Sequence, residues 1–241
     1  MMTPEQLCPR LAELNGVKDR DRWRTLAVEI GLVEVAKSAT NLQELHERLA
    51  SPALLAALIG DALAAADPDQ ALNGLERFCD GQPQELLHPI LHVALRRQQL
   101  VIILGASPFL TNILCRDEEF SRRLFLDGQI DCVKSEAEML GELRDCIADT
   151  VDFVTLQRGL RRYKCQEILR IAGRDLCGLD DLARTTYALS ALAGVTLQRS
   201  CDICGRLLQT EYGAPLLDSL TGDEPVEAEF TVLGMGKFGG R

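Results

Sequence analysis

Apolar and polar positions alternate with a helical period over most of the chain, and the interruptions fall at residues that start or stop helices. Thr3-Pro4-Glu5 opens a short helix that Asn15-Gly16 ends. From Asp19 to about Lys37, Trp23, Leu26, Ala27, Ile30, Leu32 and Val33 recur at helical spacing and predict one helix. Thr40-Asn41-Leu42-Gln43 has the form of a capping box and predicts a further helix through Leu49. Ser51-Pro52 sets a hydroxyl at N-cap and proline at N1, which predicts a helix from Ala53 to Ala66 whose leucines and alanines lie on most faces and should be deeply buried. Asp67-Pro68 and Ser107-Pro108 repeat that start, Gly81 is a stop, and Pro83 or Gln84 opens a helix to about Leu104. Asp117-Glu118-Glu119 places acids in a first turn, and Ser135-Glu136-Ala137-Glu138 is another capping box, opening a helix through Ile147.

The second half continues the pattern until its last residues. A charged helix runs from Asp152 to about Ala172, and Gly178 ends it. Leu179-Asp180-Asp181 starts another that extends to Tyr212, with Leu182, Leu189, Leu192, Ala193, Leu197, Ile203, Leu207 and Leu208 as its expected buried stripe. Gly213-Ala214-Pro215 stops it, and Leu216 to Glu227 reads as a linker. Only then does the pattern change: Phe230, Val232 and Leu233 form a short apolar run that predicts a strand, and glycines follow. The expected organisation is a helical region over 1–106, a second over 107–213 carrying the Arg-rich helix, a linker over 214–227, and a strand with a glycine-rich turn over 228–241. The helix pairs follow no fixed repeat period.

Composition narrows the function classes. The 241 residues carry 36 acidic and 26 basic side chains, a formal net charge of −10, which argues against a nucleic-acid backbone as main partner. Aromatics are only 5% while apolar residues reach 46%, a balance that favours helix and permits a sizeable core. No apolar run approaches a membrane span and no signal pattern follows Met1, so a cytoplasmic protein without a membrane partner is expected. Nine cysteines, scattered except for Cys201 and Cys204, read as free thiols in a reducing compartment. Half a zinc site or a redox pair would need a companion that the sequence lacks, so no metal site is expected there. His88 and His92, four apart, share a helix face; without a following glutamate they read as surface or packing residues.

Two features carry candidate chemistry. Gly234, Gly236, Gly239 and Gly240 let the backbone approach a ligand, and Lys237 and Arg241 add positive charge where exposed amides already favour an anion. An ordinary tight turn has the same spacing. The second feature is the run Arg158, Arg161, Arg162, Lys164, Arg170 and Arg174, a reversal of polarity in an acidic chain. It is either a solvated face or a set of bases turned toward phosphate.

The string Val232-Leu233-Gly234-Met235-Gly236-Lys237-Phe238-Gly239-Gly240-Arg241 resembles the start of the catalytic domain in the glutamine synthetase adenylyltransferase family. Upstream, Arg161-Arg162-Tyr163-Lys164-Cys165-Gln166-Glu167-Ile168-Leu169-Arg170-Ile171-Ala172-Gly173-Arg174-Asp175-Leu176 and then Leu189-Ser190-Ala191-Leu192-Ala193 resemble the same family in the same order. The helical pattern predicts a mainly α fold, a multi-helix array or bundle; the resemblance implies one C-terminal strand that begins a truncated α/β nucleotidyltransferase domain, and it turns Arg170 and Arg174 toward phosphate or toward pairing with Asp175. It implies AMP transfer from ATP to a tyrosine of glutamine synthetase, or phosphorolysis of that adenylylated tyrosine. Glutamine synthetase and a nitrogen-regulatory signal protein are the implied partners. The family holds two magnesium ions on an Asp-x-Asp pair beyond the glycines; the sequence stops at Arg241. No catalytic residue and no bound Mg2+ or ATP is therefore expected in this chain, which should be inactive by itself. Starting from a methionine, it reads as part of the adenylyl-removing, N-terminal half. The competing expectation is a non-catalytic helical module that docks glutamine synthetase or a signalling protein, and a third is a degenerate scaffold.

Overall fold

A computed structural model describes residues 2–16, 19–149, 152–217, 226–228 and 230–234. Within them lie twelve α-helices and one two-stranded antiparallel ribbon, so the mainly α fold read from the pattern is the observed one. The chain divides into two compact units, residues 1–132 with 172–180 and residues 133–171 with 181–241.

The first unit holds α1 (Pro4–Glu13), α2 (Arg20–Glu29), α3 (Val35–Leu49), α4 (Pro52–Leu63), α5 (Pro68–Gly81), α6 (Gln84–His92), α7 (Ala94–Ala106), α8 (Pro108–Arg116) and the short α9 (Glu118–Ser121). The proline-marked starts behave as the sequence requires. Ser51 Oγ accepts from Leu54 N at 3.3 Å, Asp67 Oδ1 from Gln70 N at 2.9 Å and Ser107 Oγ from Leu110 N at 3.5 Å, each satisfying an orphan amide of a first turn. α1 packs on α4, α2 on α3, α3 on α5, and α5 on both α7 and α8. Their shared interior contains Trp23, Leu42, Leu58, Ile59, Leu75 and Phe78, all essentially inaccessible. Each such side chain contributes about 1.5–3 kcal/mol on burial.

Two of the expected helices are interrupted, and distant side chains meet the backbone at both breaks. The helix expected over 19–37 ends at Glu29, Gly31 turns the chain with φ 88°, and α3 begins at Val35. Thr40 is therefore inside a helix, its hydroxyl donating to Ala36 O, rather than capping one. The carboxylate of Asp69, on α5, accepts from Val33 N at 2.9 Å, Glu34 N at 3.1 Å and Ser38 Oγ at 2.6 Å, and so caps α3 from another helix. The helix expected from Pro83 to Leu104 is likewise broken, at Val93. Arg97 spans that break, donating to Leu91 O at 3.4 Å and to Asp61 Oδ2 at 2.6 Å.

The second unit is built from α10 (Glu136–Cys146), the first part of α11 (Phe153–Leu176) and α12 (Leu182–Tyr212). The capping box at Ser135 forms as read: Glu138 N donates to Ser135 Oγ, and Ser135 N to Glu138 Oε2. Met139, Leu143, Ile147, Leu156, Tyr163, Leu192, Val195 and Ile203 make one core. Gly159 permits close approach there, since a Cβ would sit 2.7 Å from Ile147 Cγ1. The inward face of α12 runs through Thr185, Ala191, Leu192, Val195, Arg199 and Ile203. The expected leucine stripe is thus mostly wrong: Leu182 is 77% and Leu208 56% exposed, and Leu189, Leu197 and Leu207 are exposed too. Two of the inward positions are polar, which hides that face from a purely apolar pattern.

Beyond α12, β1 (Leu216–Leu217) pairs antiparallel with β2 (Val226–Glu227), so paired backbone lies within the segment read as a linker. Residues 230–234, where the apolar run predicted a strand, join no ladder among the described residues; Phe230 is 81% and Leu233 83% exposed.

Candidate functional site

The glycine-rich turn reaches the described structure only at its first residue. Gly234 is exposed and outside any helix or strand; Gly236, Lys237, Gly239, Gly240 and Arg241 lie outside the described residues. The two candidate arginines are both described, and each belongs to a different compact unit.

Arg170 is 2% exposed and sits in a buried polar network. Its Nε donates to Glu167 Oε2 at 2.8 Å, and Lys134 Nζ donates to Glu167 Oε1 at 2.8 Å and to Glu142 Oε2 at 2.7 Å. The Tyr163 hydroxyl faces Met139 O at 3.0 Å and Glu142 Oε2 at 3.2 Å. Burial, together with the Glu167 and Glu142 carboxylates, pushes that phenol well above its ordinary range, so it remains a neutral donor. Among the described contacts each of the two cations meets a carboxylate, the condition under which buried charge is tolerable. Helical spacing supplies it: Tyr163, Glu167 and Arg170 follow one another at four and three residues on α11, and Lys134 enters just ahead of the Ser135 cap. The sequence reading missed Lys134 and Glu142 because an isolated lysine in a loop carries no periodic signal.

Arg174, in the first unit, is 4% exposed. It grips Asp180 with both prongs, Nε to Oδ2 at 2.6 Å and Nη2 to Oδ1 at 2.8 Å, and donates Nη1 to Ile130 O at 2.7 Å. Hydrogen bonding to Asp180 holds this guanidinium still more firmly protonated than usual. The partner is Asp180 rather than the adjacent Asp175. The end of α11 explains the choice: Gly178 takes φ 68°, Gly178 N donates to Asp175 O at 3.0 Å and Leu179 N to Arg174 O at 2.8 Å. That double closure reverses the chain and returns Asp180 to the helix it has just left.

The exposed bases of α11 are Arg158, Arg161, Arg162 and Lys164. His88 and His92 stack at 4.2 Å between ring centroids and are exposed, while Cys201 and Cys204 are free and half-buried. Among the described residues no group of three or more His, Cys, Asp or Glu side chains is arranged to hold a metal ion. No described helix is long and apolar enough to cross a membrane.

Comparison with known proteins adds what geometry alone does not. Residues 97–241, more than half of the chain, match the family described as glutamate-ammonia ligase adenylyltransferase. The chain is 32% identical over 180 residues to a bifunctional glutamine synthetase adenylyltransferase/adenylyl-removing enzyme of Shewanella frigidimarina, covering 74% of this chain and 18% of that protein. A protein of the same description from Streptomyces coelicolor is 34% identical over 201 residues, covering 81% and 18%. One from Thioalkalivibrio sulfidiphilus is 27% identical over 243 residues, covering 93% and 24%. The chain thus spans about a fifth of the length of these relatives. No solved structure matches. The family match extends from α7 through the buried Glu167 network and the Arg174 closure to the glycine-rich turn, and on that ground the chain belongs to the glutamate-ammonia ligase adenylyltransferase family.

Proposed function

We propose that this chain is the helical part, and the opening of the nucleotidyltransferase domain, of an enzyme that adds AMP to or removes it from glutamine synthetase. The observation that carries the reading is the family match over 97–241, a range that takes in the Arg-rich helix and the glycine-rich turn. In this reading Gly234, Gly236, Gly239 and Gly240 present backbone amides to the nucleotide, while Lys237 and Arg241 meet phosphate as charged donors. ATP is the nucleotide, and Mg2+ is held by carboxylates other than those of this chain. Arg170 and Arg174, which the sequence also nominated as phosphate-facing, have buried carboxylate partners. In this proposal they act by holding α11, not by meeting the ligand. Glutamine synthetase and a nitrogen-regulatory signal protein are the proposed partners, and the cytoplasm the proposed location.

Isothermal titration with Mg-ATP, run on this chain and on a longer one carrying an Asp-x-Asp pair after Gly240, tests the reading. The longer chain should bind and turn over, the 241-residue chain should do neither, and Lys237→Ala in the longer chain should weaken triphosphate binding by about 1–2 kcal/mol. Equal binding by both chains refutes the assignment of the metal carboxylates. Unchanged affinity in the lysine variant removes Lys237 from the site. If the longer chain shows no AMP transfer in either direction but still captures glutamine synthetase, the chain is a docking module.

A further inference from the structure

The second unit contains a cavity of about 340 Å³ whose lining is wholly charged: Arg144 from α10, Asp149 just beyond it, and Arg199, Asp202 and Arg206 from α12. Its charges are unevenly employed. Asp149 Oδ1 receives both Arg199 Nη1 at 2.6 Å and Arg206 Nη2 at 2.9 Å, and those two guanidinium groups hold its carboxyl below the usual range. Arg199, 2% exposed, also donates Nη2 to Ile147 O, while its Nε has no acceptor among the described residues. Asp202 accepts from Gln198 at 2.7 Å. Arg144 is exposed and has no ion-pair partner among the described residues.

Three guanidinium groups offer about fifteen N–H donors against a few acceptors. Three positive and two negative side chains leave the cavity at net +1 in a chain of net −10. The volume lies at the small end of the ~300–1,000 Å³ usual for ligand sites, and a lining of charged residues suits a small polar guest. A planar carboxylate matches the guanidinium fork and, at one negative charge, brings the cavity to neutrality. A phosphate of about −1.5 to −2 overshoots and meets Asp149 and Asp202.

We propose that this arginine cavity is a binding site for a small monocarboxylate. Its five lining residues are other than those of the glycine-rich turn, and the proposal does not depend on the nucleotidyl-transfer reading. Arg144 and Arg206 supply the accessible donors, Arg199 fixes Asp149 and the end of α10, and Asp149 competes with the guest for the same guanidinium groups.

Titrating the 15N-labelled 241-residue chain with acetate, at ionic strength held constant with chloride, tests this through the arginine Nε–H resonances. The expected result is saturable movement of the Arg199 and Arg206 signals, with phosphate and chloride producing less. Arg144→Gln, an exposed change that leaves the core intact, should weaken acetate about fivefold or more. Asp149→Asn should tighten it by a similar factor, because a competing charge is gone. Signals that do not saturate, phosphate binding tighter than acetate, or the same acetate affinity in both variants as in the parent chain would each overturn the proposal. The last of these would reduce the cluster to an ion-pair network that ties α10 to α12.

Discussion

Replacing Glu167 tests whether the second unit is held by a charge balance or merely by its apolar core. Glu167 is fully buried and meets Lys134 and Arg170, each at 2.8 Å. At an effective dielectric of about 20, each contact corresponds to roughly 6 kcal/mol of gross attraction, offset by several kcal/mol of desolvation per ion. Glu167→Leu removes both attractions but restores solvation to neither cation, taking one of the carboxylates out of the buried cluster. The net loss should be about 3–5 kcal/mol. Arg170→Leu added to it also removes the cation that Glu167 had paired and leaves Lys134 with Glu142, and should recover more than half of that loss. Hydrogen exchange resolves the effect locally: amides in 136–146 and 156–171 should lose protection by a hundredfold or more in the single variant, at about 1.4 kcal/mol per factor of ten. A loss under tenfold, or a double variant as damaged as the single, would show that the network contributes little beyond packing.

Other outcomes follow from single contacts. Gly159→Ala places a methyl 2.7 Å from Ile147 Cγ1 and should cost about 1–3 kcal/mol in urea unfolding, with Ile147→Ala in the same chain relieving the clash. His46 is 5% exposed against Trp23, 5.3 Å between ring centroids, and burial lowers its pKa from 6.5. Below pH 6.5 the unfolded chain therefore binds the proton that the folded ring refuses, and stability read from the fluorescence of Trp23, the one tryptophan, should fall as pH drops toward the folded pKa. His46→Gln should flatten that slope. Iodoacetamide with peptide mapping should label exposed Cys132 and Cys146 first and Cys79 last, since burial pushes the Cys79 thiol up to about 12.

Local signals were readable in the sequence, and signals that cross the fold were not. Ser51, Asp67, Ser107 and Ser135 each announce a helix through a bond to a residue three positions on, and each start is found where it was read. Gly178 likewise marked the end of α11, because its backbone conformation favours glycine. The α3 start was misplaced because its cap, Asp69, is 35 residues from Glu34. The break at Val93 escaped notice because Arg97 and Asp61 manage it from the side. Arg170 and Arg174 stood out as bases, but whether a base meets phosphate or carboxylate depends on Lys134, Glu167 and Asp180 arriving in space. For the glycine-rich turn the sequence remains the source of the reading, since all but Gly234 of its candidate residues lie outside those described.

The three Ser-Pro or Asp-Pro starts carry a consequence for how the first unit assembles. A hydroxyl or carboxylate paired with proline fixes the first residue of α4, α5 and α8 using only neighbours in the chain. A helix whose origin cannot slip by one residue cannot rotate its apolar side by about 100° either. Each of these segments therefore meets its neighbours with the correct flank forward, before any long-range contact has chosen it.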